Sequence, residues 1–370
     1  MSKRVFVATR KGLFSIQRRA GNQPDWSITR VSFLGDPVTM VLPDERDGTI
    51  YAALNLGHFG VKMHRSKDGG ENWEECAIPS YPKQPEAETE KAGVAWKLTQ
   101  IWSLEAGGSD QPNYIWAGTI PGGLFLSKDC GDSWQLNESL WQLPERSEWF
   151  GGGADLPGIH SICVNPRNSQ HITVGVSCGG VWTSLNAGEG WECRSKGMWA
   201  AYMPPERRDD PIVQDPHRVV QCRSNPDMFW AQHHNGIFRS LDAALSWQEI
   251  KDVQPSVFGF ATEVHPNDPD TAWFVPAIKD ERRIPVNSQL VVTRTRNGGK
   301  SFEILREGLP QQHAYDLIYR HGMSVDRTGT RLAIGSTTGG LWISEDQGDS
   351  WHCIYTHLPP IYCVRFSAIP

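Results

Sequence analysis

Four histidines, two aspartates and a scatter of arginines and aromatic residues carry whatever chemistry this chain of 370 residues can perform. His160, His217, His234 and His321 are far apart in sequence. Neutral imidazoles of this kind suit zinc or another divalent ion, and they also suit proton transfer near neutral pH. Ligands lying on separate elements leave no local spacing motif, so the sequence nominates the four as metal candidates without fixing a site. Asp155 and Asp215 are the candidate acid and base, with His160 and His217 as candidate catalytic partners. Glycoside hydrolysis by such a carboxylate pair needs them about 5 to 10 Å apart. Arg218 and Arg320 can each grip a carboxylate through two parallel N–H donors. Trp102 and Trp149 offer stacking faces, and Tyr202 and Arg282 complete the substrate-binding candidates. The plainer reading of any single histidine is polar filling of a channel; the set is what makes the chemistry worth pursuing.

These residues need a frame, and the frame is written as a repeat. Ser66, Asp68, Gly70 and Trp73 form a phrase that returns at Ser127, Asp129, Gly131 and Trp134, and again at Ser344, Asp346, Gly348 and Trp351. Weaker copies stand at Ser184/Asn186/Gly188/Trp191, Ser240/Asp242/Ala244/Trp247 and Thr295/Asn297/Gly299/Phe302, and a worn seventh keeps only Trp26. The anchors recur about every 50 to 60 residues, a period belonging to architectures built from one supersecondary unit per copy. Asp68, Asp129, Asn186, Asp242, Asn297 and Asp346 are read as structural. Their side chains accept from the turn's own N–H groups, glycine supplies positive φ, and the serine closes the far side.

Apolar runs precede each box, as in Gly180–Thr183 and Gly340–Ile343, and a second pair of runs lies upstream, as in His160–Pro166 and His171–Val176. Four strands per copy make the blade of a β-propeller. The expectation is all-β: a single seven-bladed domain over 1–370, with blades near 1–32 plus 360–370, 36–80, 96–140, 158–196, 216–252, 256–308 and 314–359. Val5–Ala8 should pair with Ile361–Phe366 to close the ring. With the boxes on one face, the first-strand starts and the loops 79–97, 137–158, 195–216 and 276–289 belong to the other. Alignment by boxes places His160, His321, Trp102, Val220 and Phe260 at equivalent first-strand positions, with His217 just before its strand. His234 and His58 fall in loops between second and third strands.

A net charge of −6, a pI near 6.1 and no long basic run argue against a nucleic-acid partner. No stretch is long and apolar enough for a membrane span, and the start is too short in apolar residues for a signal peptide, so a cytoplasmic protein is expected. The eight cysteines form no C-x-x-C pair and read as reduced packing residues.

The boxes are similar to the bacterial neuraminidase repeat, or Asp-box. The whole chain resembles a bacterial group of Asp-box propellers called sialidase-like glycosyl hydrolases. The phrases carrying the resemblance are Ala8–Phe14, Ile159–Ile162, Gln232–Ser240, Phe258–Phe260 and His265–Pro269. A sialidase also carries an arginine cluster, a Tyr/Glu pair and an F-R-I-P phrase near its start; here the nearest phrase is Arg282–Pro285, in the sixth repeat. The resemblance implies a carbohydrate-active hydrolase at the axial mouth, binding a small molecule or saccharide. Two alternatives stay open. One is an enzyme holding a divalent ion through its histidines, similar to the manganese site of oligogalacturonate lyases. The other is a protein-binding scaffold, similar to the propeller that assists photosystem II assembly.

Overall fold

The computed structural model describes residues 1–19, 21, 25–85, 95–152 and 154–368. Part of the expected 79–97 loop therefore lies outside the described residues. Among those described, the strands pair into seven antiparallel sheets of four, the seven-bladed propeller expected from the repeat. Blade one joins Ile361–Ser367 to Arg4–Thr9, Gly12–Arg18 and Trp26–Ser32, so the two ends of the chain share a sheet. The remaining blades run over 38–76, 100–136, 159–193, 216–250, 259–305 and 323–355. The first strand of each blade touches the first strand of the next, so these seven strands wall the axis.

Sheets packed on both faces need apolar residues on both faces, and middle strands such as Ile115–Ile120, Ile172–Val176 and Ala272–Pro276 are buried along their whole length. The core is the set of layers between adjacent blades, filled by Trp116, Trp230 and Trp273.

The boxes close their hairpins as the residue types dictate. Ser66 Oγ donates to Asp68 Oδ1 at 2.8 Å and accepts from Gly70 N at 2.8 Å, while Asp68 Oδ1 accepts from Asn72 N at 2.9 Å. Asn186 and Asn297 accept the same backbone bond at Gly190 N and Ser301 N. Box indoles reach back to the preceding blade: Trp134 donates to Ala77 O, Trp191 to Asn137 Oδ1 and Trp247 to Arg194 O. Trp26 does the same across the closure, donating to Glu345. All eight cysteines are free.

Candidate functional site

Five of the seven axial strands carry an irregularity near their start. Register shifts fall between Val38 and Met40, Ile101 and Ser103, Ile159 and Ser161, Pro216 and Arg218, and Gly259 and Thr262. A β-bulge inserts an unpaired residue and re-aims its side chain. Here the bulged residues Thr39, Trp102, His160, His217 and Phe260 form a ring at the mouth opposite the boxes. This corrects the alignment in blade five: the equivalent of His160 is His217, inside the strand Pro216–Gln221, and Val220 packs in the blade core instead.

Within that ring, Asp215, His217 and His234 offer ligand atoms that all lie within 4.8 Å of one another. All three belong to blade five or its entry. His217 Nε2 is 3.4 Å and His234 Nδ1 3.6 Å from Asp215 Oδ2. His217 Nδ1 donates to Gly259 O at 2.7 Å, so the neutral ring turns a lone pair from Nε2 toward the carboxylate. Two electron-rich atoms facing each other at that distance are bridged either by a proton on Nε2 or by a metal cation. A ring N–H held by a backbone carbonyl is also the usual support of a metal-bound imidazole.

The other carboxylate oxygen is anchored. Asp215 Oδ1 accepts from Cys178 N at 3.1 Å and from Ser177 Oγ at 3.3 Å. Burial would raise this carboxyl, but His217, His234 and Arg320 outweigh it and hold it well below the usual carboxylate range. A carboxyl lowered in this way is a poor general acid. Burial lowers His217, against the opposing pull of Asp215, and burial pushes the Cys178 thiol up, keeping it protonated. A Cβ on Gly152 would sit 3.2 Å from Asp215 Oδ2 and 2.7 Å from Cys178 Sγ, so this glycine keeps the outer oxygen open. His233, pushed down to about 3 by burial, points away from the cluster and accepts from Asp215 N, fixing the backbone that carries the carboxylate.

Two separate cavities lie on either side of Arg283. The cluster opens into one of about 200 Å³ with Tyr202 and Phe260 in its wall. The other, about 490 Å³, is lined by Trp102, Arg320 and His321, and Arg283 borders both.

The structure separates the remaining candidates. His160 is fully buried, hydrogen-bonded to Ser161 and edge-on to Trp102, and it stands apart from the Asp215 cluster. His321 Nδ1 accepts from Arg218 at 3.2 Å and Arg365 at 2.9 Å, which leaves it no lone pair for a metal at that nitrogen. Arg218 is spent on the axis, bonded to His321 and facing Glu263 at 3.8 Å, and lines neither cavity. Trp149 is buried against Trp182 and lines neither cavity. Asp155 is exposed and outside both cavities. Arg282 is exposed, and its neighbour Arg283 takes the place expected of it. Tyr202 does reach the site, its ring edge-on to His234 and its hydroxyl donating to Val213 O. His58 is exposed on a short 3₁₀ turn. Sequence reasoning placed Phe260 on its first strand at this mouth but not its stacking on His217, with centroids 4.4 Å apart, and missed Gly152 and Cys178. Only the adjacency of Gly151–Gly152 to the long fourth-blade loop hinted at them.

No helix among the described residues is long and apolar enough to cross a membrane. No protein-family model and no curated protein matches the sequence. Among solved structures, the chain is similar to an ancestral GH74 enzyme, with TM-score 0.60 and 18% identity over 86% of this chain and 38% of that one. It is also similar to YCF48 bound to D1 peptide, with TM-score 0.52 and 13% identity over 86% of this chain and 81% of that one. A functionally unknown protein from Desulfotomaculum acetoxidans gives TM-score 0.57 and 10% identity over 99% and 100%. This chain spans 38% of the GH74 enzyme's length, and at these identities what the neighbours share with it is the propeller fold.

Proposed function

We propose that this propeller is an enzyme that holds a divalent metal ion through Asp215, His217 and His234 and acts on a small polar ligand, a saccharide or sugar acid, in the mouth opposite the boxes. The box hairpins support grouping it with the sialidase-like Asp-box propellers, and the GH74 neighbour makes saccharides the first class to try. The observation that carries the metal is the Nε2 lone pair of His217, fixed by Gly259 O and aimed at an ionised carboxylate 3.4 Å away. Two imidazoles and one carboxylate at the edge of an open cavity leave coordination positions for substrate or water. A metal there supplies charge stabilisation at a ligand oxygen and a more acidic bound water. Asp215 would supply the negative charge to the ion, Tyr202 buttresses His234, and Phe260 fixes the plane of His217. Cavities of about 490 and 200 Å³ suit a metabolite better than a folded partner. The paired-carboxylate mechanism loses support, because Asp155 stands outside both cavities.

Plasma mass spectrometry of the purified protein tests this reading. Near-stoichiometric metal is expected in the wild type and in His160→Ala, and loss of it in His217→Ala and His234→Ala. Metal retained in the His217 and His234 variants, or absent from wild type grown with supplements, rejects the site.

A further inference from the structure

Besides Asp215, one carboxylate lines the cavity of about 200 Å³ that opens from the three candidate ligands, and it is Asp280. It sits at the tip of a tight hairpin that follows the strand Ala272–Pro276 of blade six, closed by Ile278 N donating to Ile284 O at 2.9 Å and Arg282 N to Lys279 O at 3.0 Å. One of its oxygens is fixed. Oδ1 accepts from Arg283 Nε at 3.0 Å and Nη2 at 2.5 Å, and the same Nε donates to Asp280 O at 3.0 Å, so a planar fork sets the plane of the carboxylate. Arg283 is keyed to the cluster in turn: its guanidinium lies 5.3 Å from the centroid of Phe260, the ring stacked on His217. Asp280 Oδ2 has no hydrogen-bond partner among the described residues. The other charges of the hairpin tip do not compete, since Lys279 and Glu281 pair with each other at 3.3 Å and neither lines the cavity.

We infer that Asp280 is the general base of this site, its free Oδ2 taking a proton from a water held on the open side of Asp215, His217 and His234. The inference rests on the metal-site reading and adds a catalytic residue to it. The three ligands come from blade five or its entry, and Asp280 reaches the same cavity from blade six. A space of this size holds only a handful of waters, so a nucleophile inside it lies near both the ligands and Oδ2. Asp215 is unsuited to the role: its Oδ1 accepts from Cys178 N and Ser177 Oγ, and its Oδ2 faces both imidazoles. The two carboxylates thus divide the work, the one with both oxygens engaged holding the ion and the one with an oxygen free moving the proton. In hydrolysis Oδ2 takes one proton from the water as the water oxygen bonds to the electrophilic carbon, and returns it to the leaving oxygen as the old bond breaks. Arg283 is the positioning residue that aims Oδ2.

The test compares wild type, Asp280→Asn and Asp280→Glu in three measurements. These are zinc affinity by competition with a fluorescent chelator, hydrolysis of 4-nitrophenyl acetate by the zinc-loaded protein, and the pH midpoint of visible absorption in the cobalt(II)-loaded protein, which reports the proton on the water at the open position. Asp280→Asn should keep the melting temperature of wild type and a zinc affinity within about threefold, and should hydrolyse the ester at least about tenfold more slowly. Its cobalt midpoint should move to lower pH by about half a unit, because a negative charge that opposed loss of the proton is gone. Asp280→Glu keeps a carboxylate and should recover part of the rate and of the midpoint. A metal ligand would instead lose zinc when replaced, and a merely structural residue would leave the midpoint in place. The proposal is overturned if zinc-loaded Asp280→Asn matches the wild-type rate, if it loses zinc, if its midpoint does not move, or if zinc-loaded wild type is no faster than chelator-treated protein. Wild type that binds neither zinc nor cobalt would reject the metal site itself and the base with it.

Discussion

Side-chain direction at one residue separates a metal site from an ordinary buried histidine at this mouth. His160 and His217 occupy equivalent bulges, yet His160 meets Ser161 and the edge of Trp102, whereas His217 meets Gly259 O on one nitrogen and Asp215 on the other. The difference is the carboxylate of Asp215, two residues before His217 at the entry of the same blade. Replacing Asp215 by Asn keeps an oxygen to accept from Cys178 N and removes the charge that draws a cation between the imidazoles. Divalent-ion affinity, measured by competition with a fluorescent chelator, is expected to fall at least about 100-fold in Asp215→Asn. His160→Ala should stay within about threefold of wild type. Equal affinity in wild type and Asp215→Asn would remove the carboxylate from the ligand set.

Between neighbouring blades, the recurring joint is a backbone stitch at the box aromatic. Trp247 N donates to Lys196 O and Trp351 N to Glu307 O, and each acceptor is followed by a glycine with positive φ, Gly197 at 95° and Gly308 at 79°. A Cβ on Gly308 would lie 1.8 Å from Trp351 O, a clash with backbone that no rotamer relieves. Gly308→Ala combines that overlap with a left-handed conformation, and a loss of about 3 kcal/mol or more is expected in urea unfolding. A change under about 1 kcal/mol would mean the stitch is pliable. These joints explain what could be read in advance. Ser, Asp, Gly and Trp at fixed offsets report a local hairpin, so the boxes, the blade count and the pairing of the two termini were legible from residue types alone. The mouth was not, because a bulge shifts register by one residue without altering composition. Alignment by boxes puts Val220 where His217 stands, three residues off, which is more than one bulge explains, and it groups His160 and His321 with a cluster they do not join. Which way Arg282 and Arg283 point was equally hidden, since neighbouring loop residues differ only in geometry.

At the scale of the ring, closure and the buried axis set how the molecule responds to acid. Blades one and seven are tied by Arg18 to Glu345 at 2.6 Å, by Trp26 to the same carboxylate and by Ser2 N to Asp326 at 3.1 Å, so the last joint is as specific as the others. The axis within is polar. His160 and His321 are buried, and burial holds both well below the usual imidazole value. Arg320 and Arg218 push His160 down further, with Asp215 opposing and His217 adding a smaller downward push; around His321 the neighbours are Arg218, Arg365, His160 and Arg320, all acting downward. Well above pH 6.5 both imidazoles are neutral in folded and unfolded chains and contribute no pH dependence. Below it the unfolded chain takes up two protons that the folded axis refuses, so stability falls as pH falls, at about 1.4 kcal/mol per pH unit for each imidazole. Glu105 and Glu263, raised by burial, act in the opposite sense, since the folded chain protonates them first; their effect begins only as pH approaches the carboxylate range. The expected outcome is a free energy of unfolding, from urea titrations at fixed ionic strength, that declines from pH 6.5 downward rather than from pH 4. His321→Gln retains an acceptor for Arg218 and Arg365 and no longer titrates, so it should remove about 1.4 kcal/mol per pH unit from that slope. A wild-type stability that is flat to pH 5, or a slope unchanged in His321→Gln, would show that the axis admits the proton.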